Sequence, residues 1–312
     1  MTVRIEGIVP VMLTPFSDEG EIDFSGLERL IEWYLACGCD ALFAVCQSSE
    51  MYHLSLEERK ALACFVVRQV NGRVPVVVSG HISDDPCSQV EELTVAAHSG
   101  ADAVVLVTNH LDPHSRGTAT LRGNLEWLLR KLPSTIPLGL YECPAPYRRL
   151  LSDDELRICL DTERFVLLKD VSCNLETIRR RLTLARGTPL SVLNANAAIA
   201  YPAMLSGSKG FNGVFTNIHP DLYAWLYRHG AEHPELAAEI ASTLVLAAQT
   251  ENMGYPVLAK LFHQRLGTFT SARSRSITFD VRERYWALDA VIDALFSSTE
   301  NMRTRIAGQT TA

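Results

Sequence analysis

Eight short apolar runs alternate with longer amphipathic stretches along this 312-residue chain, and that alternation restricts the fold more than any motif does. The runs fall at 8–13, 41–45, 74–79, 103–107, 138–141, 165–169, 190–193 and 210–215. Several are continuous in Val, Ile and Leu, the pattern of strands buried on both faces. Between them, 24–37, 56–70, 86–99 and 121–132 carry helical periodicity. Ser55 with Glu58, and Ser152 with Glu155, have capping-box spacing, while Gly38, Gly72 and Gly100 fall where helices should stop. Eight strand–helix units in roughly 225 residues is the arithmetic of an α/β protein of the (β/α)8 barrel type. An open doubly wound sheet is the runner-up, but no G-x-G-x-x-G follows the first run.

Strand signals stop near residue 230. The segments 232–250, 256–266 and 281–296 read as helices, with Gly254-Tyr255-Pro256 and 267–277 as the breaks between them. The expected organisation is a catalytic barrel over 1–230 and a C-terminal helical appendage over 231–312, with a polar, disordered tail from Ser297 onward. Apolar residues make up 47% and charged residues 21%, enough for a sizeable core. A net charge of −7 and the lack of a clustered basic face argue against nucleic acid. The runs Arg148-Arg149 and Arg179-Arg180-Arg181 read as solvated faces. The N-terminus lacks the apolar core of a signal peptide, and no stretch is long enough to span a bilayer, so a cytoplasmic location is expected. None of the eight cysteines forms a C-x-x-C pair, and a disulfide framework is not expected. His110 and His114 are four apart, but Pro113 between them argues against a helix that would align them on a metal.

In a barrel of this kind, reacting groups sit at the C-terminal ends of the strands. Phe165-Val166-Leu167-Leu168 ends on Lys169, and Pro137-Leu138-Gly139-Leu140 ends on Tyr141. An ammonium after four buried apolar residues sits where desolvation disfavours its charge. A lysine made into a free amine attacks carbonyls to form a Schiff base, and a phenol on the next strand moves the protons. The bland alternative is that Lys169 pairs with Asp170 or snorkels to water. The other strand ends are rich in hydroxyls and amides, Gln47, Ser48, Ser49, Asn109, Asn194, Asn196 and Asn217, with the imidazole of His110 among them. Such groups suit a carboxylate or a polyol, and the scarcity of carboxylates gives no sign of a Mg site.

These residues resemble a family. Gly7-Ile8-Val9-Pro10-Val11-Met12-Leu13-Thr14-Pro15-Phe16 is similar to the G-x-x-x-A-x-x-T-P-F opening of the dihydrodipicolinate synthase / N-acetylneuraminate lyase superfamily of Schiff-base aldolases. Gln47-Ser48-Ser49-Glu50 with Leu54-Ser55-Leu56-Glu57-Glu58-Arg59 matches its G-T-T-G-E and L-T-x-E-E-R segments in position, loosely in the loop. Tyr141-Glu142-Cys143-Pro144 is similar to Y-N-x-P, and Lys169-Asp170-Val171-Ser172 to K-E/D-x-S/T. Gly207-Ser208-Lys209-Gly210 resembles G-A-x-G, and 256–260 resembles P-x-P-x-K. The likeness spans residues 5–280. It implies that Lys169 forms an imine with pyruvate or another 2-keto acid and that Tyr141 relays protons. Ser48, with the backbone around Gln47 and Ser49, would hold the keto-acid carboxylate, with His110 and Asn212 as further substrate contacts. The resemblance implies no cofactor and no metal. It also implies a small-molecule partner and a homo-oligomer, a dimer or tetramer.

Three departures bear on the substrate. Gln47 stands where the family's first loop threonine joins the proton relay. His110 or Leu111 stands where a neighbouring subunit's tyrosine is expected. Pro146 occupies the place of the arginine that binds the second carboxylate in the synthases. The leading expectation is therefore a lyase or dehydratase acting on another 2-keto acid, such as a deoxy sugar acid. Two alternatives stand beside it. One is a genuine 4-hydroxy-tetrahydrodipicolinate synthase condensing pyruvate with aspartate semialdehyde. The other is a barrel that binds 2-keto acids without turning them over.

Overall fold

The computed structural model describes residues 3–309; Met1, Thr2 and the last three residues of the expected tail lie outside the described residues. Eight parallel strands follow one another: β1 (Gly7–Ile8), β2 (Leu42–Ala44), β3 (Val76–Val78), β4 (Ala103–Val107), β5 (Leu138–Tyr141), β6 (Phe165–Asp170), β7 (Ser191–Asn194) and β8 (Gly210–Phe211). Their spatial order runs from β2 through β7 to β8 and then β1. The ring closes where Val11 bridges Phe43 in parallel register, with Phe43 N donating to Pro10 O at 2.9 Å and Met12 N to Phe43 O at 2.9 Å. The fold is a (β/α)8 barrel with C-terminal helices.

Between the strands lie α1 (Phe24–Ala36), α2 (Leu56–Val70), α3 (Pro86–Ala97), α4 (Thr108–Leu111), α5 (Thr118–Lys131), α6 (Asp153–Leu160), α7 (Leu175–Leu184), α8 (Ala200–Leu205) and α9 (Pro220–His229). Both capping boxes form: Ser55 Oγ accepts from Glu58 N and Ser152 Oγ from Glu155 N, with each glutamate bonding back. A cap of this kind contributes about 1 kcal/mol. All five residues of β4 are fully buried, because α-helices cover the outside and side chains fill the inside. Each large apolar side chain removed from water in this way contributes roughly 1.5–3 kcal/mol. At the β1–β8 seam a Cβ on Gly210 would stand 1.8 Å from Gly7 O, so only glycine lets these two strands meet there.

Several strands are shorter than the apolar runs that mark them. The run 8–13 is regular strand only at Gly7–Ile8, its later residues bonding singly to β8 and β2. The run 210–215 is strand only at Gly210–Phe211, after which the chain enters the 3-10 turn Val214–Asn217 at the mouth. After α9 come α10 (Pro234–Ala248), α11 (Val257–Arg265), α12 (Val281–Arg284) and α13 (Leu288–Gln309). The stretch 281–296 is thus two helices rather than one. The expected disordered tail is instead helix as far as Gln309, because Leu288, Ile292, Leu295 and Thr299 repeat at helical spacing and are buried. Arg181 and Arg149 also depart from the solvated reading of the basic runs. Both are buried among carboxylates, whereas Arg179, Arg180 and Arg148 are exposed. No helix among the described residues is long and apolar enough to cross a membrane. All eight cysteines are free thiols.

Candidate active site

The β5–β6 register sets Tyr141 directly beside Lys169. Side chains alternate along a strand, so Lys169 enters the barrel while Asp170 leaves it. Lys169 Nζ lies 4.4 Å from the centre of the Tyr141 ring and 5.7 Å from that of Phe43. It is 4% exposed. Burial pulls its pKa down to about 8, against a partial opposing pull from Cys46, Cys143 and Glu251. The physical cause is an ammonium withdrawn from water with no carboxylate in contact among the described residues. Burial has the opposite consequence for Tyr141, whose phenol is held well above its ordinary value and stays protonated.

Asp170 is not the partner of Lys169. It takes the buried Arg181 of α7 instead, and the same guanidinium reaches Glu142, with Arg181 Nη1 donating to Glu142 Oε2 at 2.8 Å. Glu142 also accepts from Leu151 N at 2.8 Å and Val171 N at 3.1 Å. The residues that follow Tyr141 and precede Val171 are therefore clamped outside the barrel by one arginine, which holds the two strand ends level. Sequence reading missed this role of Arg181. The signal was present in two adjacent carboxylates, Glu142 and Asp170, each expected to be buried at a strand end and so needing a cation.

Lys169 and Tyr141 open on a cavity of about 500 Å³ that Gln47 and Ser48 also line. Gln47 and Ser48 belong to a single 3-10 turn, Gln47–Ser49. Tyr141 Oη donates to Gln47 Oε1 at 3.3 Å, and Cys143 Sγ lies 3.4 Å from the same oxygen. With its carbonyl occupied, the Gln47 amide has its NH2 left to offer the cavity. Glu50, in the left-handed conformation at the end of the turn, receives Lys260 Nζ at 2.5 Å, Ser274 Oγ at 2.8 Å, and Arg275 N and Ser276 N at 2.7 Å each. That network pins the loop carrying Ser276 and Ile277 over the mouth, where both line the cavity.

Three expected site residues stand elsewhere. Ser49 is turned away: its Oγ donates to Met12 O at 2.7 Å and accepts from Cys46 N, so it braces the turn. His110 is packed behind the wall, with Nδ1 2.7 Å from Asp84 Oδ1 and Nε2 3.3 Å from Tyr52 Oη; it is Tyr52 that reaches the cavity. Asn212 is fully buried on the strand side of the site, with both amide atoms unpaired, and does not line the cavity. His81 is likewise buried, and its Nδ1 accepts from Val107 N at 3.0 Å. The displaced arginines are taken: Arg149 binds Asp112 and Glu155, and Arg148 reaches Val171 O from the surface. Among the described residues, no arginine lines the cavity.

The C-terminal region contributes what sequence reading did not anticipate. Glu251, from the 3-10 turn Gln249–Asn252, and Tyr255, from the segment read as a helix break, both line the cavity. Partial burial raises the Glu251 pKa and Lys169 opposes the shift. No signal in a Glu or Tyr beyond the eighth unit distinguishes an inward-facing side chain from a surface one. Among the described residues, no group of three or more His, Cys, Asp and Glu is placed to hold a metal.

Residues 4–286 match the dihydrodipicolinate synthetase family. The chain belongs to that family. It is 30% identical over 211 residues to a 4-hydroxy-tetrahydrodipicolinate synthase of Bacillus subtilis, covering 66% of this chain and 70% of that one. A synthase of the same name from Coxiella burnetii is 26% identical over 259 residues, 82% of either chain. A solved dihydrodipicolinate synthase superposes with a TM-score of 0.80 at 25% identity, over 93% of this chain and 99% of the other. This chain is therefore a dihydrodipicolinate synthase-like lyase.

Proposed function

We propose that this family member is a Schiff-base lyase in which Lys169 carries the keto acid and the carbonyl partner lacks a second carboxylate. The observation that carries the reading is a buried lysine, pulled to about 8, beside a protonated phenol in a walled cavity. The neutral amine attacks C2 of a 2-keto acid, and the carbinolamine loses water to give the imine. Tyr141, whose proton is retained by burial, supplies and takes back the proton for that loss. In a 2-keto acid with a C4 hydroxyl, the C3–C4 electron pair then forms the C2=C3 double bond of an enamine while the C=N pair moves onto the protonated imine nitrogen. The C4 hydroxyl gives up the proton that Tyr141 takes back, the aldehyde leaves, and the reverse makes the bond. Ser48 and the Gln47 amide face the same space and offer donors to the carboxylate.

Support for an uncharged, hydroxylated partner comes from the cavity wall. Among the described residues no guanidinium lines it, and Glu251 places a carboxylate there. A second substrate carboxylate would lose its water without gaining a cation. The relatives' names favour a second reading, condensation of pyruvate with aspartate semialdehyde. A homo-oligomer, dimer or tetramer, acting in the cytoplasm belongs to the same proposal; light scattering at the mass of one chain would remove the oligomer. The main test is borohydride trapping with pyruvate followed by peptide mass spectrometry. A reduced pyruvyl adduct on Lys169 is expected. An unmodified Lys169 after trapping with pyruvate and with longer 2-keto acids would overturn the reading. Turnover of aspartate semialdehyde at rates matching hydroxylated aldehydes would overturn the substrate assignment alone.

A further inference from the structure

Ser48 is one of the cavity's few polar groups, and its direction as donor or acceptor is decided by residues far from it in sequence. Its Oγ receives Tyr255 Oη at 2.8 Å, and no other hydrogen bond to the Ser48 side chain is made among the described residues. Tyr255 Oη is in turn 2.9 Å from Asn217 Nδ2. The orientation of that amide is fixed at both ends: its two Nδ2 hydrogens are shared among Val11 O at 2.9 Å, Val214 O at 3.0 Å and Tyr255 Oη, and Oδ1 accepts from Tyr34 Oη. An amide NH2 has no lone pair to accept a proton. The Tyr255 proton therefore cannot turn toward Asn217 and goes to Ser48 Oγ. With that oxygen accepting, the Ser48 proton is left to point into the cavity.

We propose that Tyr255 is a positioning residue that sets Ser48 as a hydrogen-bond donor toward the ligand. The array Tyr34–Asn217–Tyr255–Ser48 has one direction, and its open end is a donor. Gln47 is set the same way, since its carbonyl is occupied by Tyr141 and its NH2 is left free. The end of the cavity near Lys169 is thus lined by donors, which selects an anionic acceptor such as a carboxylate and disfavours an amide or alcohol at that place. Tyr255 also explains why the C-terminal region is coupled to the barrel's chemistry: it reaches the site from between the turn Gln249–Asn252 and α11.

The inference rests on the Schiff-base reading, so the experiment separates the two. Trapping on Lys169 is titrated with pyruvate for the wild type, Tyr255→Phe, Ser48→Ala and the double variant. Tyr255→Phe keeps the ring and removes the hydroxyl. The expected result is an about tenfold higher half-saturating pyruvate concentration in Tyr255→Phe, with the plateau adduct yield and the melting midpoint retained. Ser48→Ala should weaken trapping at least as much, and adding Tyr255→Phe to it should change nothing further, since the array then has no terminal donor to orient. Additive losses in the double variant, or equal half-saturation in wild type and Tyr255→Phe, would overturn the positioning role and leave the Schiff-base reading intact. No adduct on the wild-type lysine with any 2-keto acid would overturn the reading itself and this inference with it.

Discussion

Lys169 and Lys260 are both buried, and burial brings both to about 8, yet their surroundings give them opposite uses. Lys260 sits against a carboxylate. Its Nζ donates to Glu50 Oε1 at 2.5 Å and to Arg273 O at 2.7 Å, and it lies 4.4 Å from the centre of the Phe16 ring. Every proton it carries has an acceptor or a ring face, so the charged form is held and the side chain fastens the C-terminal region to the turn after β2. Lys169 has two aromatic rings near it and, among the described residues, no carboxylate in contact. The nearest carboxylate in sequence, Asp170, is drawn out of the barrel by Arg181. Desolvation lowers a lysine's pKa in either place. What separates a nucleophile from a structural clamp is whether an acceptor is in contact with the ammonium.

The largest effect should come from removing the bare lysine. Lys169→Ala is expected to abolish pyruvate trapping and turnover while the circular dichroism spectrum and melting midpoint hold, because no packed ion pair is lost. Residual turnover above a thousandth of wild type would break the comparison at its first term. Tyr141→Phe should slow imine formation by roughly 10²–10⁴-fold, read by rapid-quench trapping; a change of less than tenfold would move the proton relay to another group.

Lys260→Met tests the other half. It leaves Glu50 buried with three donors and no cation, and should cost about 3–5 kcal/mol of stability, measured by urea unfolding. In the fraction that remains folded, Lys169 should still be trapped. If Lys260→Met kept full stability, the clamp would be the wrong description of that lysine.

The pH profile sharpens the difference further. Below its pKa of about 8, Lys169 is an ammonium and cannot attack a carbonyl. Imine formation should therefore rise about tenfold per pH unit up to about 8 and then level off, while Tyr141 stays protonated throughout. A profile already flat from pH 6 would place the lysine's pKa well below 8. The smallest expected effect is at the far wall: Glu251→Gln should improve turnover of an anionic aldehyde relative to a neutral one by about tenfold or less. A ratio that does not move would take Glu251 out of substrate selection.

How much of this was legible in the residues differs by element. The five residues of β4 and the pair Tyr141 and Lys169 were legible because an apolar run buried on both faces has one length and one end. The two capping boxes were legible for the same local reason, three-residue spacing with fixed donors and acceptors. Ser49 and His110 looked like site residues because they follow strands, but a hydroxyl or imidazole at a strand end can turn toward the backbone as easily as toward the cavity. Ser49 bonds Met12 O, and His110 bonds Asp84. The tail beyond Ser297 read as polar because it adds only Thr299, Met302 and Ile306 to the stripe begun by Leu288, Ile292 and Leu295.

The amino-acid sequence by itself determined the barrel, its eight units and the lysine–tyrosine pair, since hydrophobic periodicity and strand-end position are local properties of the chain. Only the tertiary structure decided which groups surround that pair. Arg181, Glu251 and Tyr255 are 12, 82 and 86 residues from Lys169 by their numbering, and each is brought to its place by packing of a different element. The direction of the Ser48 hydroxyl depends on an amide at Asn217 and a phenol at Tyr34. Hydrogen bonds between residues this far apart are set by three-dimensional packing, and no spacing along the chain encodes them.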